Sequence, residues 1–104
     1  MSAYKDALHV SSAEQGPRLQ LAAEMLAEGR AVVVLDGGLA LRPDSGRILC
    51  EVISSGSVAP QAQVQTAKRL LQASTLGRLV DIKHCQWLLV EDYGTGSAEL
   101  WRES

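Results

Sequence analysis

Residues 30–53 read RAVVVLDGGLALRPDSGRILCEVI, and this stretch decides the fold. Val32, Val33 and Val34 put β-branched side chains on both faces, which suits an interior strand. Asp36-Gly37 is a dipeptide favoured in a two-residue type I′ hairpin turn, where both central residues take positive φ. Leu39 to Arg42 then returns antiparallel. Pro43-Asp44-Ser45-Gly46 makes a second turn, proline presetting φ and glycine closing it. From Arg47 to Ile53 the chain alternates, with Ile48, Cys50 and Val52 on one side and Leu49, Glu51 and Ile53 on the other. These signals predict a three-stranded antiparallel meander. A phosphate loop at Asp36-Gly37-Gly38 would need glycines that lead into a helix N-terminus, and these lead into another apolar strand.

Helical patterns flank the meander. Gly16-Pro17 starts one sharply, because proline at the first helical position gives up an N–H that would be unbonded there anyway. Leu19, Ala22, Ala23 and Leu26 share a face over Pro17 to Glu28, with Glu24 and Glu28 opposite. Leu21 and Met25 lie on a flank and either widen the buried face or mark a contact surface. Gly29 supplies a left-handed stop. Residues 1–15 are polar and weakly patterned and read as a loosely ordered arm, in which Leu8 and Val10 can add an edge strand. Beyond the Ser54-Ser55-Gly56-Ser57 link, Pro60, Val64, Ala67, Leu71 and Ser74 form the stripe of a second helix, with Gln61, Gln65, Lys68, Arg69 and Gln72 opposite. Gly77 is read as its end, and residues 78–83 as either a short strand or a loop. Gln86 to Glu91 is a strand that Gly94-Thr95-Gly96 turns into Ser97 to Glu103.

Together these elements predict a single α+β domain over residues 16–104, with an antiparallel sheet of about five strands and two amphipathic helices on one face, in the order α-β-β-β-α-β-β. Over residues 17–74, helix, three strands, helix resembles the element order of double-stranded-RNA-binding domains. The resemblance is one of topology, and the start of the second helix lacks the dense lysine cluster of those domains.

At 104 residues the chain makes one domain, whose folding buries roughly 60 to 65% of the surface the unfolded chain exposes. Hydrophobic residues at 46% and charged residues at 21% are ordinary for a globular protein. Phenylalanine is absent, so the core rests on Leu, Val, Ile and Ala. Seven Arg against three Lys hints at a GC-rich bacterial genome. The start lacks a basic stretch followed by an apolar one, and no apolar run spans a bilayer. The expectation is a cytoplasmic protein with no membrane partner and reduced thiols. The net charge of -2 gives no bulk attraction to nucleic acid.

Candidate chemistry is sparse. His84-Cys85 invites a thiol–imidazole reading, but adjacent residues on a strand point to opposite faces. Cys50 can meet His84 only across the sheet, and a buried cysteine beside a surface histidine is the simpler reading. His9, His84, Cys50 and Cys85 show no metal-ligand spacing, so neither a metal nor another cofactor is expected. Glu91-Asp92 sits beside a turn and Glu103 near the end of the sequence, where carboxylates are solvated rather than catalytic. No catalytic residue is assigned.

Charge is uneven: Lys68, Arg69, Arg78 and Lys83 against Asp81 leave residues 60–84 at +3, whereas Glu91, Asp92, Glu99 and Glu103 against Arg102 leave residues 85–104 at −3. Trp101 alternates onto the charged side with Glu99 and Glu103, a candidate contact anchor, while Trp87 shares a side with Leu89 and reads as core. The function expected first is a small non-enzymatic protein-interaction module, such as an adaptor, inhibitor or immunity-type factor of a bacterial system. Its interaction residues would be Trp101, Glu99, Glu103, Leu21 and Met25, and its partner another protein or a second copy docked on the open sheet face. The alternatives are a nucleic-acid-binding module using Lys68, Arg69, Arg78 and Lys83, and a small thiol-dependent enzyme using Cys50 or Cys85.

Overall fold

The computed structural model describes residues 6–53 and 57–90. Strand β1 (Leu8–Val10) is followed by helix α1 (Pro17–Ala27), strands β2 (Val32–Val34), β3 (Leu39–Asp44) and β4 (Arg47–Ile53), helix α2 (Pro60–Ala73) and strand β5 (Gln86–Val90). Three 3₁₀ turns, Leu35–Gly37, Thr75–Arg78 and Ile82–His84, fill the connections. The strands lie in the order β1-β2-β3-β4-β5.

The α+β class is as expected, but the sheet is mixed rather than antiparallel. β1 pairs parallel to β2 and β4 parallel to β5, while β2–β3 and β3–β4 are antiparallel. The order over the described residues is β-α-β-β-β-α-β. The reason is that α1 and α2 are crossovers: each helix carries the chain back along the sheet, so the strand after it runs the same way as the strand before it. Leu8 and Val10 do add the edge strand, in a segment too short to show a period. The strand expected from Ser97 to Glu103 lies outside the described residues. The helix, three strands, helix order of residues 17–74 is present, set within a sheet that gains a parallel strand at each edge.

The first hairpin also differs. Val34 pairs with Leu39, leaving a four-residue connection in which the left-handed position falls on Gly38 (φ 59°, ψ 38°) rather than on Asp36-Gly37. Asp36 is occupied elsewhere: its carboxylate accepts the Ser12 N–H at 2.7 Å and the Ser12 hydroxyl at 2.5 Å. The two-residue geometry appears one hairpin later. Asp44 pairs with Arg47, and Ser45 and Gly46 between them both take positive φ, 48° and 84°, as a type I′ turn requires.

Helix α1 ends as the sequence predicts. Gly29 takes φ 85°, its N–H donates to the Leu26 carbonyl at 3.2 Å, and the Arg30 N–H donates to the Met25 carbonyl at 2.8 Å. That pair of bonds is a Schellman closure. Both helices pack on one sheet face. Ala22, Met25 and Leu26 of α1 and Ala67 and Leu71 of α2 join Val32, Val34, Leu39, Leu41, Cys50 and Val52 in one buried cluster, with Trp87 and Leu89 packed against it. The other face centres on Val33 and Ala40. Among the described residues no helix is long and apolar enough to cross a membrane.

The Ser12–Asp36 contact joins the segment after β1 to the end of β2. Burial raises the Asp36 pKa, but the hydrogen bonds from the Ser12 hydroxyl and backbone outweigh it and leave the carboxyl below its usual value. A depressed carboxylate pKa stabilises the fold fully above the unfolded-state value and loses that contribution as pH falls through the folded-state value. Ser12→Ala is expected to cost about 1 kcal/mol at neutral pH, less than a buried hydrogen bond to a charged group because Asp36 is largely exposed. Urea denaturation at neutral pH and near pH 2 checks this. The difference between variant and wild type shrinks in acid.

Candidate functional site

The chemistry-bearing side chains of the second half gather where α2 gives way to β5. Without a regular helix or strand between Ser74 and Cys85, the chain turns twice in 3₁₀ form. Asp81 caps the second of these turns by accepting the Lys83 N–H at 3.1 Å. Gln72 from α2, Arg78 from the first turn and Lys83 from the second line an open concavity of about 500 Å³, to which Leu79, Val80 and Ile82 contribute apolar surface. Arg69 is exposed and lies three residues before Gln72, on the same stripe of α2. Lys68 is committed to the sheet side: its Nζ stands 5.6 Å from the centroid of the Trp87 ring, within cation–π range. Two of the four cations expected from the sequence, Arg78 and Lys83, therefore line one concavity, while Lys68 packs over an aromatic ring.

The imidazole of His84 is paired with the carboxylate of Asp81, Nδ1 to Oδ2 at 2.6 Å. Donation from the ring holds Asp81 below the usual carboxylate range. This pair is exposed, and the thiols lie elsewhere. Parallel pairing sets Cys50 beside Trp87, and Cys85 precedes Trp87 by two residues, hence on the same side. Cys50 is fully buried, and Cys85 packs against the cluster that contains it. Both side chains thus belong to one cluster on one side of the sheet. Interaction with the Cys50 thiol lowers the pKa of Cys85 by stabilising its thiolate, against burial and the charge of Asp81, which raise it. The same interaction, burial and the charge on Cys85 push the Cys50 thiol far up. Cys50 thus meets a second thiol rather than His84, a contact visible only once β4 and β5 are known to run parallel.

Other candidates are dispersed. Met25 is buried at 6% exposure and widens the α1 core face, whereas Leu21 is 42% exposed. His9 lies on β1, at the opposite edge of the sheet from β5, so it does not approach His84 or the thiols. Among the described residues no group of three or more His, Cys, Asp or Glu side chains is placed to hold a metal ion. On the face away from the helices, Arg42 and Glu51 form an ion pair at 2.9 Å, and Val33 and Ala40 are fully buried within a single chain. Trp101, Glu99 and Glu103 lie outside the described residues.

Comparison of the chain with protein families, with curated proteins and with solved structures finds no match in any of the three.

Proposed function

We propose that the chain is a small protein-interaction module that takes an acidic, apolar-anchored protein segment on the basic end of α2. The observation that carries this reading is the convergence of Gln72, Arg78 and Lys83 on one concavity with apolar surface from Leu79 and Ile82. Carboxylates on a partner would meet the two cations, while an aromatic or aliphatic side chain would cover the apolar part, the division of labour seen at interface cores and rims. Among the described residues neither Arg78 nor Lys83 has a carboxylate partner within ion-pair distance, so a bound acid would not have to displace one. Nucleic acid fits the same surface less well. Binders of duplex backbone typically neutralise about 6–10 phosphates, whereas here Lys68 is held over Trp87 and Asp81 stands on the rim.

Residues 91–104 supply a probe of the right chemistry, with Glu91, Asp92, Glu99 and Glu103 around Leu100 and Trp101. The same segment on a second copy makes self-association the first partner to test. Fluorescence anisotropy with a labelled peptide of this sequence is expected to show binding that weakens with salt. The double variant Arg78→Glu, Lys83→Glu should lose at least about tenfold in affinity, or about 1.4 kcal/mol. Trp101→Ala in the peptide should weaken binding as well. Equal binding to the double variant would overturn the reading, and preference for a labelled RNA or DNA duplex would replace it with the nucleic-acid one.

A further inference from the structure

We infer that Cys50 and Cys85 form a dithiol that exchanges with low-molecular-weight disulfides, closing a reversible bond between β4 and the entry to β5. The two residues come from different parts of the chain, face the same side of the sheet and pack in one buried cluster. Their exposures differ in the way such chemistry requires. Cys85 is half-buried and within reach of a small reagent, whereas Cys50 is fully buried. The thiolate is the reactive form of a cysteine, and of the two sulfurs it is Cys85 whose pKa is lowered, by its interaction with the Cys50 thiol.

The exchange balances in two steps. The Cys85 thiolate attacks one sulfur of a disulfide RSSR, forms a mixed disulfide and expels RS⁻. Cys50 then gives up its proton to solvent and attacks the Cys85 sulfur, expelling the second RS⁻. Two protein thiols are oxidised and one RSSR is reduced to two RSH. Excess thiol reverses both steps. Closing the bond brings the two sulfurs to about 2.05 Å, from side chains that already pack in one cluster. Cys85 directly follows the Ile82–His84 turn that carries Lys83, so the new bond would anchor that part of the basic rim to β4.

The test is to hold the reduced full-length chain in graded ratios of oxidised to reduced glutathione. The reaction is quenched in acid, the remaining thiols are alkylated under denaturing conditions, and the intact mass and peptide map are measured. The expected product has no alkylated cysteine, is two hydrogens lighter, yields a Cys50–Cys85 linked peptide and reverts with dithiothreitol. Cys50→Ala should stop at a glutathione adduct on Cys85, and Cys85→Ala should leave Cys50 unreacted until the protein is denatured. A wild-type chain that stops at the mixed disulfide, or keeps both thiols alkylatable throughout, would overturn the inference. This outcome does not depend on peptide binding, and the wild-type map decides it even if a variant fails to fold.

Discussion

Replacing Leu76 by alanine is expected to lower the unfolding free energy by about 3 to 4 kcal/mol, mid-range for a fully buried leucine. Leu76 is 0% exposed although it sits in a 3₁₀ turn, Thr75–Arg78, rather than in a helix or strand. It belongs to the same buried cluster as Ala67, Leu71 and Val80. The cavity cost depends on how far the surroundings can collapse, and here the turn is tethered on both sides. The Ser74 hydroxyl donates to the Leu71 carbonyl at 3.0 Å, and the Thr75 hydroxyl donates to the Glu14 carbonyl at 2.5 Å. A domain of this size is stable by roughly 5 to 15 kcal/mol, so the variant should lose about a fifth or more of the total. Urea denaturation should show a lower midpoint with an unchanged slope, and Leu76→Met should cost less than about 1.5 kcal/mol. A loss below about 1 kcal/mol for Leu76→Ala, the size of an ordinary substitution away from the core, would mean that this turn is not part of the core.

Leu76 also marks the limit of what patterning conveys. The two helices were legible because their signals are local: Gly16-Pro17 opens the first, apolar spacing fills both, and Gly29 closes the first through its own positive φ, although the second stops at Ala73 and Gly77 falls inside the turn that follows. The alternation of β4 was legible for the same reason, and its register bears out the assignment of Ile48, Cys50 and Val52 to one side. Leu76 lies instead between a helix end and an irregular segment, where no period forms. Its burial follows from where α2 returns to the sheet. Strand β1 was hard to see because three residues carry too little alternation, and its parallel pairing follows from a crossover rather than from its own side chains. The first hairpin turn was misplaced by a tertiary contact, since Asp36 holds Ser12, 24 positions away.

The candidate site divides along the same line. Lys68, Arg69, Arg78 and Lys83 were visible as a basic stretch, because charge density is a property of composition. Which of them share a surface was not visible: Lys68 and Arg69 are adjacent in sequence, yet one packs over Trp87 while the other is exposed with Gln72. The thiol pair needed even more of the fold. Its two members are separated by the whole of α2 and two turns, and only the parallel β4–β5 register brings them together. A sequence signal did exist, in that both cysteines alternate onto the side of core-facing neighbours, Ile48 and Val52 for Cys50 and Trp87 for Cys85.

Gly77→Ala is the second substitution with a large expected effect, and its cause is steric. A Cβ at this position would stand 2.4 Å from the Leu71 carbonyl oxygen, 3.4 Å from the Leu71 carbonyl carbon and 3.6 Å from the Gln72 Cα. All three are backbone atoms of the last turn of α2, so no side-chain rotation relieves the contact. The Leu71 oxygen is held in place as well, accepting the Ser74 N–H at 3.3 Å and the Ser74 hydroxyl at 3.0 Å. The chain must therefore separate the end of α2 from the turn that buries Leu76. The expected cost is about 3 kcal/mol, the upper end for overpacking, equivalent to a fall in melting temperature of about 12 °C or more for a domain of this size. Gly29→Ala is the contrasting control: it meets no atom within 4 Å, but its φ of 85° strains any residue with a Cβ, at a cost of about 1 to 2 kcal/mol. Thermal unfolding of the two variants beside the wild type orders them directly, and Gly77→Ala melting no lower than Gly29→Ala would contradict the close approach of α2 to the turn. Because Gly77 also lines the concavity formed with Arg78 and Lys83, the same variant should weaken binding of the acidic peptide even at temperatures where it remains folded.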